Sequence, residues 1–143
     1  MFLCKISMIH IQRFVLFVLM LFLISCGGDY LVKETIDKSK GNSVFIEKFS
    51  GDKFNMKERL EYKFAKMGFN PIESKEKSDY TLKWRYAHAI FGTNVSVRLI
   101  NSDGVVVYLG EGDNPGFGTL LNPTGSIWGC FERALAGLEN VEE

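Results

Sequence analysis

Few side chains in this 143-residue sequence could do covalent chemistry, and they stand far apart. Cysteines occur singly at positions 4, 26 and 130, and His88 is the only histidine beyond His10. A serine or cysteine nucleophile needs a histidine as base and a third group to orient it. Any such device would have to use His88. That residue lies on the same alternation as Trp84 and Tyr86 in "YTLKWRYAHAI", which predicts a packed or edge histidine. Cys130 lies close to Trp128 and Phe131, with Arg133 three positions on. A reactive thiolate wants a basic, partly exposed setting, so a buried core filler is the expectation here. Asp103 belongs to a turn, and Asp113 lacks oxygen ligands at the spacing of a calcium loop. Glu111 and Asp113 are neighbours in sequence, whereas paired glycosidic acids must flank a cleft across the fold. One histidine and scattered cysteines do not compose a zinc set. The sequence therefore predicts no catalytic residues, no metal and no cofactor.

Two segments have types suited to binding. Trp84 and Tyr86 share one strand face and could stack on a sugar or a peptide, although large aromatics normally pack beneath helices. The segment "GEGDNPGFGTLLNPTGS", Gly110 to Ser126, reads as a glycine-rich loop. It lacks the Gly-Lys-Ser/Thr of a phosphate loop, but it feeds a helix start near Thr124, where an anion is favoured. A long mobile loop is one reading. Another is a partner-binding loop with Phe117, Leu120 and Leu121 as apolar anchors.

The elements that must position these residues follow from periodicity. "SVFIEKF" reads as a first strand. Met56, Leu60, Phe64 and Met67 form one stripe of a helix, with Asn55 and Glu58 as a capping box and Gly68 as its stop. The charged residues on its other faces read as a solvated surface. Tyr80 to Ile90 alternates as a strand, and Val95, Val97 and Leu99 mark the next. "NSDG" at 101–104 is a hairpin turn with a return strand over 105–109. Ile127, Phe131, Ala134, Leu135 and Leu138 share a face of the last helix. This order predicts an α+β domain of two layers, with a mostly antiparallel sheet of about four to five strands and two helices on one face.

The N-terminus has a different character. Phe14 to Ile24 is continuously apolar, shorter than the roughly 20 residues a spanning helix needs. Lys5 and Arg13 precede it and small residues follow, the layout of a signal peptide. Leu23-Ile24-Ser25-Cys26 resembles the lipobox of bacterial lipoproteins. The resemblance implies a diacylglyceryl group on the Cys26 thiol, cleavage on its N-terminal side, and a palmitate-bearing anchor. It also implies outer-membrane sorting in a Gram-negative host, since Gly27 occupies the position where aspartate signals retention. Residues 1–25 are then a signal peptide, 26–42 a lipidated tether with reach on the order of 50 Å, and 43–143 one domain. A short strand over Tyr30 to Val32 is the alternative to a tether.

Seventeen basic and seventeen acidic residues balance over the whole chain. Losing Lys5 and Arg13 with the signal leaves an acidic excess of two, which argues against nucleic acid. With Cys26 acylated, Cys130 has no intrachain partner for a disulfide. The element order also resembles small modules of envelope-assembly lipoproteins, of secretion or flagellar accessory proteins, and of uncharacterised Gram-negative lipoproteins. The function these readings imply is that of a non-enzymatic, membrane-anchored accessory or protein-binding module of the cell envelope. The alternative is a module that binds a small ligand or an envelope polymer, such as peptidoglycan, sugar or peptide, through Trp84 and Tyr86. An enzyme of unknown type stands third.

Overall fold

The computed structural model describes residues 28–32, 34, 36–39, 41–89, 92–116 and 122–139. The signal segment, Cys26, Phe117, Leu120 and Leu121 lie outside them. In chain order the elements are β1 (Gly28–Val32), β2 (Ser43–Ile46), α1 (Met56–Lys66), β3 (Asn70–Ile72), a single 3-10 turn (Lys75–Lys77), β4 (Tyr80–Ala89), β5 (Gly92–Asn101), β6 (Val106–Pro115) and α2 (Pro123–Glu139).

The fold is α+β, as the pattern predicts, but the sheet is larger and more mixed. Six strands run in the order β1-β6-β5-β4-β2-β3. The pairs β1–β6, β6–β5 and β5–β4 are antiparallel, while β4–β2 and β2–β3 are parallel. The parallel pairs have a simple cause. Helix α1 is a crossover that returns the chain to the end of the sheet where β2 began, so β3 must run the same way. The 3-10 turn does the same for β4. One strand was hidden in the sequence, β3, which is three residues with a proline. β1 bears out the short strand over Tyr30 to Val32 given as the alternative to a tether, and extends it back to Gly28. Gly28–Val32 pairs in register with Gly112–Tyr108, so the sheet begins at Gly28 rather than Ser43.

Local chemistry fixes the element ends. Asp52, not Asn55, caps α1: its carboxylate accepts from the amides of Met56 at 3.0 Å and Lys57 at 3.1 Å. Asn55 makes no side-chain cap bond and sits at φ 53°. The helix ends as expected at Gly68, φ 82°, with Phe69 N donating to Phe64 O at 3.0 Å. The β5–β6 hairpin turns at Gly104, φ 79°, and Asn101 Oδ1 accepts from the amides of Asp103 and Val105. At the start of the parallel pair, Ser43 N and Oγ both donate to Asp79 Oδ2, while Asp79 N donates back to Ser43 Oγ. These bonds, the Ser43 hydroxyl first, hold the Asp79 carboxyl below its usual range.

Both helices cover one face of the sheet. The α1 stripe Met56, Leu60, Phe64 and Met67 is buried, as is the α2 stripe Ile127, Phe131, Ala134, Leu135 and Leu138. They close over Val44, Ile46, Leu82, Trp84, Val95, Val97, Leu99 and Tyr108. Gly110 and Gly112 explain how α2 comes so near. A Cβ at Gly110 would run into the Ala134 carbonyl, and one at Gly112 into the Cys130 carbonyl. They are sheet residues, so the glycine-rich segment is strand as far as Pro115. Their small size is what suggested a loop; it serves instead to admit a helix backbone.

Candidate functional site

Among the described residues, both helices lie on one sheet face and none covers the other. Alternation assigns its residues: neighbours of the inward Trp84, Val97, Gly110 and Gly112 must point outward. Register then aligns them in rows across the sheet. Arg85, Ser96, Glu111 and Asp29 form one row over β4, β5, β6 and β1, and Lys83, Arg98, Leu109 and Leu31 form the next. Ala87, Asn94 and Asp113 form a third. The charges are sorted. Lys83, Arg85 and Arg98 make the β4–β5 half basic, and Glu111, Asp113 and Asp29 make the β6–β1 half acidic. Among the described residues no ion pair joins the two halves; Lys83 reaches only Glu47, at 3.8 Å. Leu31, 52% exposed, adds an apolar position at the β1 edge.

The residues expected to bind through the aromatic strand lie on the covered face. Trp84 is 6% exposed and belongs to the core. Its Nε1 donates to Glu47 O at 2.7 Å, and its ring meets Phe49 and Phe131 edge-on. Tyr86 is half-buried; its hydroxyl donates to Gly51 O at 3.0 Å and accepts from Lys53 N at 2.9 Å. Burial pushes its phenol pKa up. The first turn of chain after β2 contacts both rings, Phe49 meeting each edge-on.

His88 Nδ1 is 2.8 Å from Thr93 Oγ1, and its ring meets Phe54 edge-on. Cys130 is buried, with its thiol 3.7 Å from Thr93 O and Arg133 Nη2 3.3 Å from its sulfur. The same Arg133 Nη2 donates to Asp113 O at 2.8 Å. Among the described residues no three His, Cys, Asp or Glu side chains gather as a metal site.

One feature escaped the sequence reading. The charged surface of α1 does not simply face water: with α2 it forms a groove of about 500 Å³. Tyr62, 65% exposed, and Trp128 supply its aromatic rings. Arg59 lies over the Trp128 ring at 5.9 Å and Lys66 over Tyr62 at 4.6 Å. Trp128 Nε1 donates to Glu132 at 2.9 Å, and a Lys63–Glu139 ion pair ties the two helices. Such a groove needs two helices brought side by side, which no window of sequence displays.

The fold and its surfaces define a small α+β domain in which, among the described residues, one face of the sheet carries no helix. No family model matches the chain, and no curated protein matches it. Among solved structures it is similar to the PelC dodecamer from Paraburkholderia phytofirmans, with TM-score 0.55 and 16% identity over 80% of this chain and 98% of that one. A point variant of that dodecamer in another crystal form gives TM-score 0.53 with the same identity and coverage. At this identity the likeness is one of fold.

Proposed function

We propose that this protein is a non-enzymatic accessory lipoprotein of the cell envelope, anchored through acylated Cys26 and working by binding protein. The observation that carries the reading is the helix-free sheet face, whose cations and carboxylates are sorted into two halves without pairing across them. Exposed charge arranged in this way gives a surface orientation and partner choice. The signal-peptide layout and the lipobox resemblance support the anchor. Phe117, Leu120 and Leu121 remain the apolar anchors proposed for the same role. PelC, of similar fold, is described as a dodecamer, which supports reading the fold as one that associates with protein.

The test is crosslinking in cells followed by purification through a tag placed after Glu143. A single stoichiometric partner, lost when Arg85→Glu and Arg98→Glu are introduced together, is the expected result. Recovery of bulk envelope proteins alone, unchanged by the variant, would overturn the reading. For the anchor, Cys26→Ala should move the protein out of the membrane fraction and abolish incorporation of labelled palmitate.

A second reading, binding of an envelope polymer, is favoured by the groove rather than by Trp84 and Tyr86. Exposed Tyr62 and half-buried Trp128 flanked by Arg59 and Lys66 suit a saccharide. Quenching of Trp128 fluorescence by soluble glycan fragments, absent in Tyr62→Ala, is the outcome this reading requires.

A further inference from the structure

We propose that the helix-free face pairs with the same face of a second copy of this chain, in a dimer whose two-fold axis lies between β5 and β6 and runs along the strands. The inference rests on the protein-binding reading above and names the partner.

The argument comes from the charge rows. Such an axis lays β4 of one copy over β1 of the other, and β5 over β6. Rows are kept, so Arg85 of one copy stands over Asp29 of the second and Ser96 over Glu111, each contact occurring twice. In the next row Arg98 stands over Leu109 and Lys83 over Leu31. Their alkyl stems cover apolar surface there while the charged heads reach toward the neighbouring carboxylate row. In the third row Asn94 stands over Asp113. Basic half meets acidic half throughout. Sheets packed face to face lie about 10 Å apart, within reach of two long side chains.

The alternative axis in the same plane runs across the strands and is excluded by charge. It would lay β4 on β4 and β6 on β6 with the rows reversed, so the basic half would meet its own copy and the acidic half its own. The N-termini select the same solution independently. An axis along the strands leaves both Gly28 residues at one end of the dimer, so two anchors at Cys26 enter one membrane. The axis across the strands would send them to opposite ends.

The full-length processed protein, purified in detergent, tests this by light scattering of the eluted complex. Wild type should be dimeric in low salt and dissociate in about 1 M salt, where the screening length falls to about 3 Å. Reversing the basic half (Arg85→Glu with Arg98→Glu) or the acidic half (Asp29→Lys with Glu111→Lys) should weaken the dimer by about tenfold or more. All four substitutions together should restore it, with circular dichroism verifying that each variant folds. A monomeric wild type, a dimer indifferent to either reversal, or a folded fourfold variant that stays monomeric would each overturn the proposal. A monomeric wild type that still captures a different protein through this face would overturn the dimer while leaving the protein-binding reading intact.

Discussion

The hydroxyl of Tyr108 donates a 2.6 Å hydrogen bond to the main-chain carbonyl of Ala134. It ties β6 to α2 beside the two glycines over which that helix lies. Tyr108 is fully buried, and burial pushes its phenol pKa up to about 12. Tyr108→Phe should therefore cost about 1 kcal/mol, the net value of such a bond, read from urea unfolding. It also predicts a pH window. The folded-state pKa lies above the ordinary value of 10.0, so the contribution is complete below pH 10 and lost as pH rises toward 12. Phenol absorbance should show a late titration step, beyond those of the also raised Tyr80 and Tyr86, that Tyr108→Phe removes.

Two glycines of α2 and its seat should respond oppositely to alanine. Gly112→Ala presses a methyl group into the backbone of α2, which cannot yield as a side chain tip does. A loss of about 1–3 kcal/mol, or failure to fold, is expected. Gly129 has no heavy atom nearer its added Cβ than Arg133 Nη1 at 3.8 Å. Gly129→Ala should stabilise by up to about 1 kcal/mol, the helix preference of alanine over glycine. Thermal melts of the pair decide it, and equal effects would contradict the packing described.

Capping offers a sharper contrast. Asp52→Ala removes the acceptor for three amides at the start of α1, and about 1 kcal/mol of stability should go with it. Asn55→Gly removes no cap bond and relieves a left-handed backbone, so stability should hold or rise slightly. Denaturant midpoints of the two variants should separate in that order.

Tryptophan fluorescence distinguishes core from surface. In a Trp128→Phe background the remaining emission comes from Trp84, 6% exposed, and acrylamide should barely quench it. In Trp84→Phe, if the fold survives, the half-buried Trp128 should quench more readily. Strong quenching of Trp84 would place it outside the core.

Much of this fold was legible in the sequence because burial there has a period. Both helical stripes, the long alternating strand at Tyr80 and the Asn101–Gly104 turn appear where the pattern puts them. The failures share a cause. β3 is three residues with a proline, and β1, foreseen only as the alternative to a tether, is exposed along its whole length, so neither carries a buried alternation. Gly110 and Gly112 looked like loop because their reason for being small is a helix arriving from elsewhere in the chain. The sorted face was illegible for the same reason. Arg85 and Asp29 are 56 positions apart in number, and only the register of four strands places them in one row.

The place where β1 begins has a mechanical consequence. Gly28 is already paired into the sheet, two residue steps from Cys26, a distance of at most about 7 Å. A lipidated Cys26 would then hold the domain like a rivet rather than a balloon on a string. Its height above the bilayer would be fixed by the sheet itself. Its neighbours would be met by sideways diffusion, with little freedom to tumble, and any partner it engages must also lie within a few nanometres of that membrane.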